Sequence, residues 1–193
     1  MTILEFVVAA LALVILIYTV IIYNGLIRLK NNVARAFANI EVLLKQRHTE
    51  LPLLVDVCKG YMVHEQHVLL AITEARSRVH SAQEKHDVRG LGQAETLMRT
   101  SLSQLFARCE AYPDLKANEN FLALQERISQ LEDAIADRRK IFNESVRLNN
   151  TRIQQVPDVV LARSFGFGEL AYLKFETVAL LPVKINLKTS VSR

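Results

Sequence analysis

The hydrophobic positions of this chain fall into three patterns. Residues 6–23 read FVVAALALVILIYTVIIY without one charged side chain. Ile3 and Leu4 lengthen the run, and Glu5 is its ionised group. About 20 apolar residues in helical form cross a hydrocarbon core of roughly 30 Å. Past this run the pattern becomes helical. Leu26, Leu29, Val33, Ala36, Ile40 and Leu43 are spaced alternately by three and four, the seam of a helix packed on other helices. The seam continues through Arg47, Leu51, Leu54, Cys58 and Tyr61, then Val68, Ile72, Ala75 and Val79. It predicts one long helix over 24–82, bent near His48–Pro52, where proline removes a backbone donor. The polar stretch SAQEKHDVRGLG, residues 81–92, carries two glycines and reads as a loop. A second helix follows over 93–111, and Pro113 stops it. A third, over 116–155, has the seam Phe121, Leu124, Ile128, Leu131, Ile135, Arg138 and Phe142. DVVLARS, residues 158–164, suits a short helix. In the third pattern, Val183, Ile185 and Leu187 alternate with Lys184, Asn186 and Lys188, which predicts a strand that must find a partner.

The expected fold is therefore all-α. An N-terminal transmembrane helix (1–23) continues into a long antiparallel helical bundle (24–156), in which two helices pack on a longer one. A C-terminal part (157–193) adds a short helix and a short extended or β segment.

Composition narrows the classes. The 193 residues include only 6 Gly and 4 Pro, too few for the frequent turns of an all-β fold. A formal net charge of +4 is no footprint for nucleic acid, and no such partner is expected. Arg138, Arg139, Lys140 and Arg147 are offset by Glu132, Asp133, Asp137 and Glu144. Two cysteines make no disulfide framework; Cys58 and Cys109 occupy seams, as small core hydrophobes do. A cleaved signal peptide needs a basic start and a small-x-small site. Nothing basic precedes the apolar run and Ile-Ile-Tyr-Asn follows it, so a retained anchor is expected. Arg28, Lys30 and Arg35 lie just after the anchor, where they meet lipid headgroups and place the bulk of the chain in the cytoplasm.

Several blocks carry a resemblance. Tyr23-Asn24-x-Leu26-x-x-Leu29-Lys30-Asn31 follows the anchor. Ile40-Glu41-Val42-Leu43-Leu44-Lys45-Gln46-Arg47 leads into Glu50-Leu51-Pro52. Tyr61-Met62, His64-Glu65 and Thr73-Glu74-Ala75-Arg76 come next. Then come Tyr112-Pro113-Asp114-Leu115-Lys116-Ala117-Asn118-Glu119-Asn120-Phe121 and, after Asn143, Asn149 and Arg152, Phe165-Gly166-Phe167. In these blocks the chain resembles the bacterial LemA family from Tyr23 to about Phe167. The resemblance implies one N-terminal transmembrane helix, a helical-bundle domain and no accepted catalytic residues. The tail departs from the family: it is apolar and slightly basic where family members carry an aromatic and acidic one.

Candidate chemistry is sparse. His64 and His67 stand three apart, a near miss to the His-Glu-x-x-His zinc helix, and form at most a weak metal pair. No phosphate-cradling loop and no Glu-x-x-His pair occurs. The polar seam residues Arg47, Asn118, Asn120, Asn143, Asn149 and Arg152 say more, because buried groups of this kind need partners and fix helix register. They predict a structural polar network or a partner pocket. The sequence thus reads as a non-catalytic membrane scaffold, without cofactor, that forms a homo-oligomer at the bacterial inner membrane. Strands of Val183, Ile185 and Leu187 would pair between copies. The alternative is an adaptor that binds another membrane or envelope protein through the polar pocket. A metal-dependent hydrolase is the weakest of the three.

Overall fold

A computed structural model describes residues 3–175. Six helices follow one another: α1 (Ile3–Lys59), α2 (Gln66–Glu84), α3 (Val88–Cys109), α4 (Pro113–Lys116), α5 (Glu119–Gln154) and α6 (Asp158–Ser164). There is no strand among the described residues. The predicted strand of Val183, Ile185 and Leu187 lies outside them.

α1 leaves the apolar run and enters the bundle without a break, and its last turns and α5 share one long seam. Leu26, Val33, Ala36, Ile40, Leu44, Leu51 and Leu54 are buried along it; Leu44 takes the place expected of Leu43, which like Leu29 is half-buried. The helix continues through Pro52 without interruption. Proline cannot donate to the carbonyl of His48, yet that carbonyl is not orphaned: Arg76 Nε of α2 donates to it at 3.0 Å. Replacing Arg76 by Met should therefore cost about 1 kcal/mol of stability. In a Pro52→Ala background, which returns the missing N–H, the same change should cost less, and a urea-denaturation double-mutant cycle reads the difference.

The expected helix over 24–82 is instead two helices. α1 stops at Lys59, and a turn over 60–65 reverses the chain. Gly60 has no side chain to hold it helical, and the N–H groups of Tyr61 and Met62 both close on the Cys58 carbonyl, at 3.1 and 2.8 Å. Met62 then turns inward, fully buried, with Cys109 Sγ 3.8 Å from its sulfur. The expected loop over 81–92 also shortens to three residues, 85–87. The Asp87 side chain accepts from the N–H groups of Arg89 and Gly90, at 3.1 and 3.0 Å, and starts α3 inside the polar stretch. The bundle consequently has four main helices rather than three.

α1 pairs with α5 and α2 pairs with α3, and the α2–α3 hairpin packs on the upper part of α1. Phe37 meets Phe142 with ring centroids 5.5 Å apart. Below that level α1 and α5 form a two-helix stalk, buttressed by α6 at its base. There Ile22 and Leu26 of α1 pack on Ile153, Leu161, Ala162 and Phe167.

Candidate functional site

Two polar constructions occupy the bundle. The first is an ion network where α1, α3 and α5 meet. Arg47 and Glu95 are each 1% exposed, and Glu132 is 17% exposed. One Arg47 nitrogen donates to Glu95 Oε1 and the other to Glu132 Oε1. Arg99 Nε stands 3.3 Å from the second oxygen of Glu132. Burial pulls the Arg47 pKa down, but the carboxylates of Glu95 and Glu132 together outweigh it and hold it above the ordinary value. Burial, helped by the Glu132 carboxylate, holds the Glu95 pKa above the ordinary value against the pull of Arg47 and Arg99, and Glu95 Oε2 is buried without a hydrogen-bond partner. A guanidinium supplies five donors in a fixed fork, so one buried Arg can tie three helices into a single register.

The second construction is a backbone clamp. After α6 the chain runs back up the bundle as an extended strap, residues 167–175. Asn150 Nδ2 donates to the Leu170 carbonyl at 2.9 Å, and its Oδ1 accepts the Leu170 N–H at 2.9 Å. Asn143 repeats both bonds with Leu173, at 3.0 and 2.9 Å. Each amide satisfies one donor and one acceptor, as a neighbouring strand would. The two periods agree. Seven helical residues from Asn143 to Asn150 rise about 10.5 Å, and three extended residues from Leu170 to Leu173 cover about 10 Å. Leu173 is fully buried, and the Lys174 carbonyl lies so close to Gly92 of α3 that a Cβ there would overlap it. The strap thus fills the seam between α3 and α5. Phe175 lies under the Arg139 guanidinium, 4.2 Å from the ring centroid, with Arg99 at 5.9 Å. Arg99 is therefore shared between strap and ion network.

The six polar seam residues do not form one network. Arg47 lies in the ion network and Asn143 in the clamp. Asn149 is buried beside the clamp and donates to Asn150 Oδ1 at 3.3 Å. Asn118 caps α5, accepting the Phe121 N–H at 3.1 Å, and its amide reaches the Tyr61 hydroxyl. Asn120 is exposed next to it. Arg152 pairs with buried Asp158 at the opposite end. The reason is length: from Asn118 to Arg152 the helix rises about 50 Å. Glu95, Glu132 (read only as an offset to the basic stretch of the third helix) and Asn150 were not singled out as site residues in the sequence. The seam Arg47 was the available signal for the first two, because a buried guanidinium demands carboxylates. Asn150 could have been found from its seven-residue spacing to Asn143.

His64 lies in the 60–65 turn, before α2, so it and His67 do not share a helix face; both are exposed. Among the described residues no cluster of three or more His, Cys, Asp and Glu could hold a metal ion. Arg28, Lys30 and Arg35 are exposed on α1 just above the apolar run.

A titratable pair flanks the network. The rings of His48 and His80 stand 5.1 Å apart. Burial first, then Arg76, His80 and Arg47, lower the His48 pKa from 6.5. The native state therefore binds this proton less tightly than the unfolded chain. Stability should fall as pH drops below about 6.5, where the unfolded state takes up more protons. Urea midpoints measured at a series of pH values should show this slope in the parent protein and a smaller one in His48→Gln.

These features define a class: a helical-bundle protein carried on one uninterrupted helix, whose N-terminal part is long and apolar enough to cross a membrane. Residues 36–187 match the family model described as LemA family, and the chain belongs to that family. It is also similar to "Protein LemA" of Metamycoplasma hominis, 30% identical over 131 residues, or 67% of this chain. The match covers 58% of that relative's own length. The ion network, the clamp and the whole strap fall inside the family match.

Proposed function

We propose that this chain is a non-catalytic, membrane-anchored scaffold that self-assembles into a homo-oligomer at the bacterial inner membrane, with its bundle on the cytoplasmic side. One observation carries the reading. The apolar side chains of the first turns of α1, among them Leu4, Phe6, Leu11 and Ile15, are exposed and, among the described residues, packed on by no other helix, while the same helix forms the core of the bundle farther on. Such a surface needs hydrocarbon around it, and an uninterrupted helix fixes the bundle to the bilayer with no joint. Exposed Arg28, Lys30 and Arg35 support the cytoplasmic orientation. Val42, Leu53, Leu70 and Ile141 are exposed apolar residues on three helices of the bundle, available where copies would meet.

A second reading has its own observation. Beside the strap lies an open hollow of about 540 Å³ lined by Arg139, Lys140, Arg147, Tyr172 and Lys174, with Glu144 as its carboxylate. Its charge suits an acidic segment of another membrane or envelope protein, which would make the chain an adaptor. Crosslinking in cells followed by pull-down separates the two. The scaffold reading expects mostly copies of this chain; a second protein in stoichiometric amount would replace it with the adaptor reading.

A further inference from the structure

The anchor sets the depth of everything that touches its end. From Ile3 to Ile22, α1 rises about 30 Å, the thickness of a hydrocarbon core. Ile22 is nevertheless buried by protein, against Ile153, Leu161, Ala162 and Phe167. Tyr23 meets the ring of Phe165 at 5.0 Å and that of Phe167 at 6.0 Å, edge to face in both cases. Gly166, at a φ of +70°, makes the turn that brings both rings onto Tyr23. A segment in contact with the last turn of a membrane span lies at the boundary of the bilayer. Yet it presents apolar side chains outward: Val156 is 85% exposed, Val160 65% and Phe165 55%.

We propose that α6 and the Phe165-Gly166-Phe167 turn form an interfacial foot, which inserts Val156, Val160 and Phe165 among the headgroups of an anionic leaflet and seats the bundle on the membrane. The inference rests on the anchored reading and adds a second membrane contact to it. The charges agree. Arg163 is exposed on α6, and Arg28 and Lys30 are exposed within the next two turns of α1. Of the nearby carboxylates, Asp158 is buried against Arg152, and Glu169 accepts from Gln154 Nε2 at 2.6 Å. An aromatic cluster at the interface with cationic side chains just above it is what a headgroup region favours. Two contacts, the span and the foot, would fix tilt and rotation, which a single helix leaves free.

The chain contains no Trp, so a single inserted Trp reports without background. The full-length protein is reconstituted in vesicles of phosphatidylcholine and phosphatidylglycerol, carrying one Trp at Val160, Phe165, Ile15 or Leu122. Lipids brominated near the glycerol end of the acyl chain then quench at shallow depth, and lipids brominated near the methyl end quench at the bilayer centre. Val160→Trp and Phe165→Trp should emit to the blue of Leu122→Trp, at the far end of the bundle, and lose severalfold more intensity to the shallow quencher. Ile15→Trp should respond to the deep one. If Ile15→Trp is quenched while Val160→Trp and Phe165→Trp behave as Leu122→Trp does, the foot is overturned and the anchor stands. If Ile15→Trp escapes quenching as well, the anchored reading fails and the foot falls with it. Using two foot positions guards against a disturbance caused by either substitution alone.

Discussion

Arg47→Met is expected to destabilise the bundle by about 3–5 kcal/mol, because it leaves Glu95 buried without its counter-charge. Glu95 has nowhere to turn: it is 1% exposed, and one of its oxygens already lacks a partner. Glu132 suffers less, since it is 17% exposed and keeps Arg99 at 3.3 Å. The asymmetry gives a second expectation. Arg47→Met combined with Glu95→Leu should recover most of the loss, because no buried charge is then left over. Thermal unfolding of the full-length protein in detergent reads both, with a fall on the order of 10 °C for the single variant. Equal losses in the single and double variants would mean that packing of the Arg47 stem, and not its charge, holds the three helices in register.

Asn143→Ala with Asn150→Ala should release the strap. Each Asn holds one N–H and one carbonyl of the strap, and a buried polar group left unpaired costs about 1–3 kcal/mol. Among the described residues its other ties are Phe167 against Tyr23, Glu169 with Gln154, Leu173 in the core, the Lys174 carbonyl against Gly92 and the Phe175 ring beneath Arg139. We expect the double variant to lose about 2–4 kcal/mol and to become sensitive to limited proteolysis within residues 167–175, while the helices stay protected. Because Arg99 touches both Phe175 and Glu132, part of this loss should disappear in an Arg99→Met background. A strap that resists protease in the double variant would show that Leu173 and Phe175 hold it without the amides.

The sequence carried the helical seams and little of the turns between them. The three-four spacing from Leu26 to Leu54 and from Phe121 to Phe142 is close to the burial pattern of α1 and α5, because packing on a neighbouring helix imposes that period on the chain, but Leu44 is buried where Leu43 was expected and Arg138 is exposed. The same period runs through the turn at 60–65 by coincidence of spacing, so two helices looked like one. A single exposed glycine was the local sign of the reversal. Gly90 and Gly92 misled in the other direction. Both read as loop punctuation, but Gly92 sits in α3 because the strap approaches there, a contact between residues far apart in sequence. The ion network was half legible. Arg47 in an apolar seam announced a buried charge, whereas Glu95 and Glu132 each flank a seam residue and look like ordinary surface carboxylates. The strap itself has no periodic signature, since side chains of α5 supply its hydrogen bonds.

In the proposed scaffold, copies of this chain assemble in the membrane through a bundle held rigidly by α1. Its most direct test is the mass of the full-length protein extracted together with its native lipids. Particles whose protein mass is a multiple of the 21.9 kDa chain, with no second protein in stoichiometric amount, are expected. A single 21.9 kDa chain per particle, at the concentration found in the membrane, would contradict it.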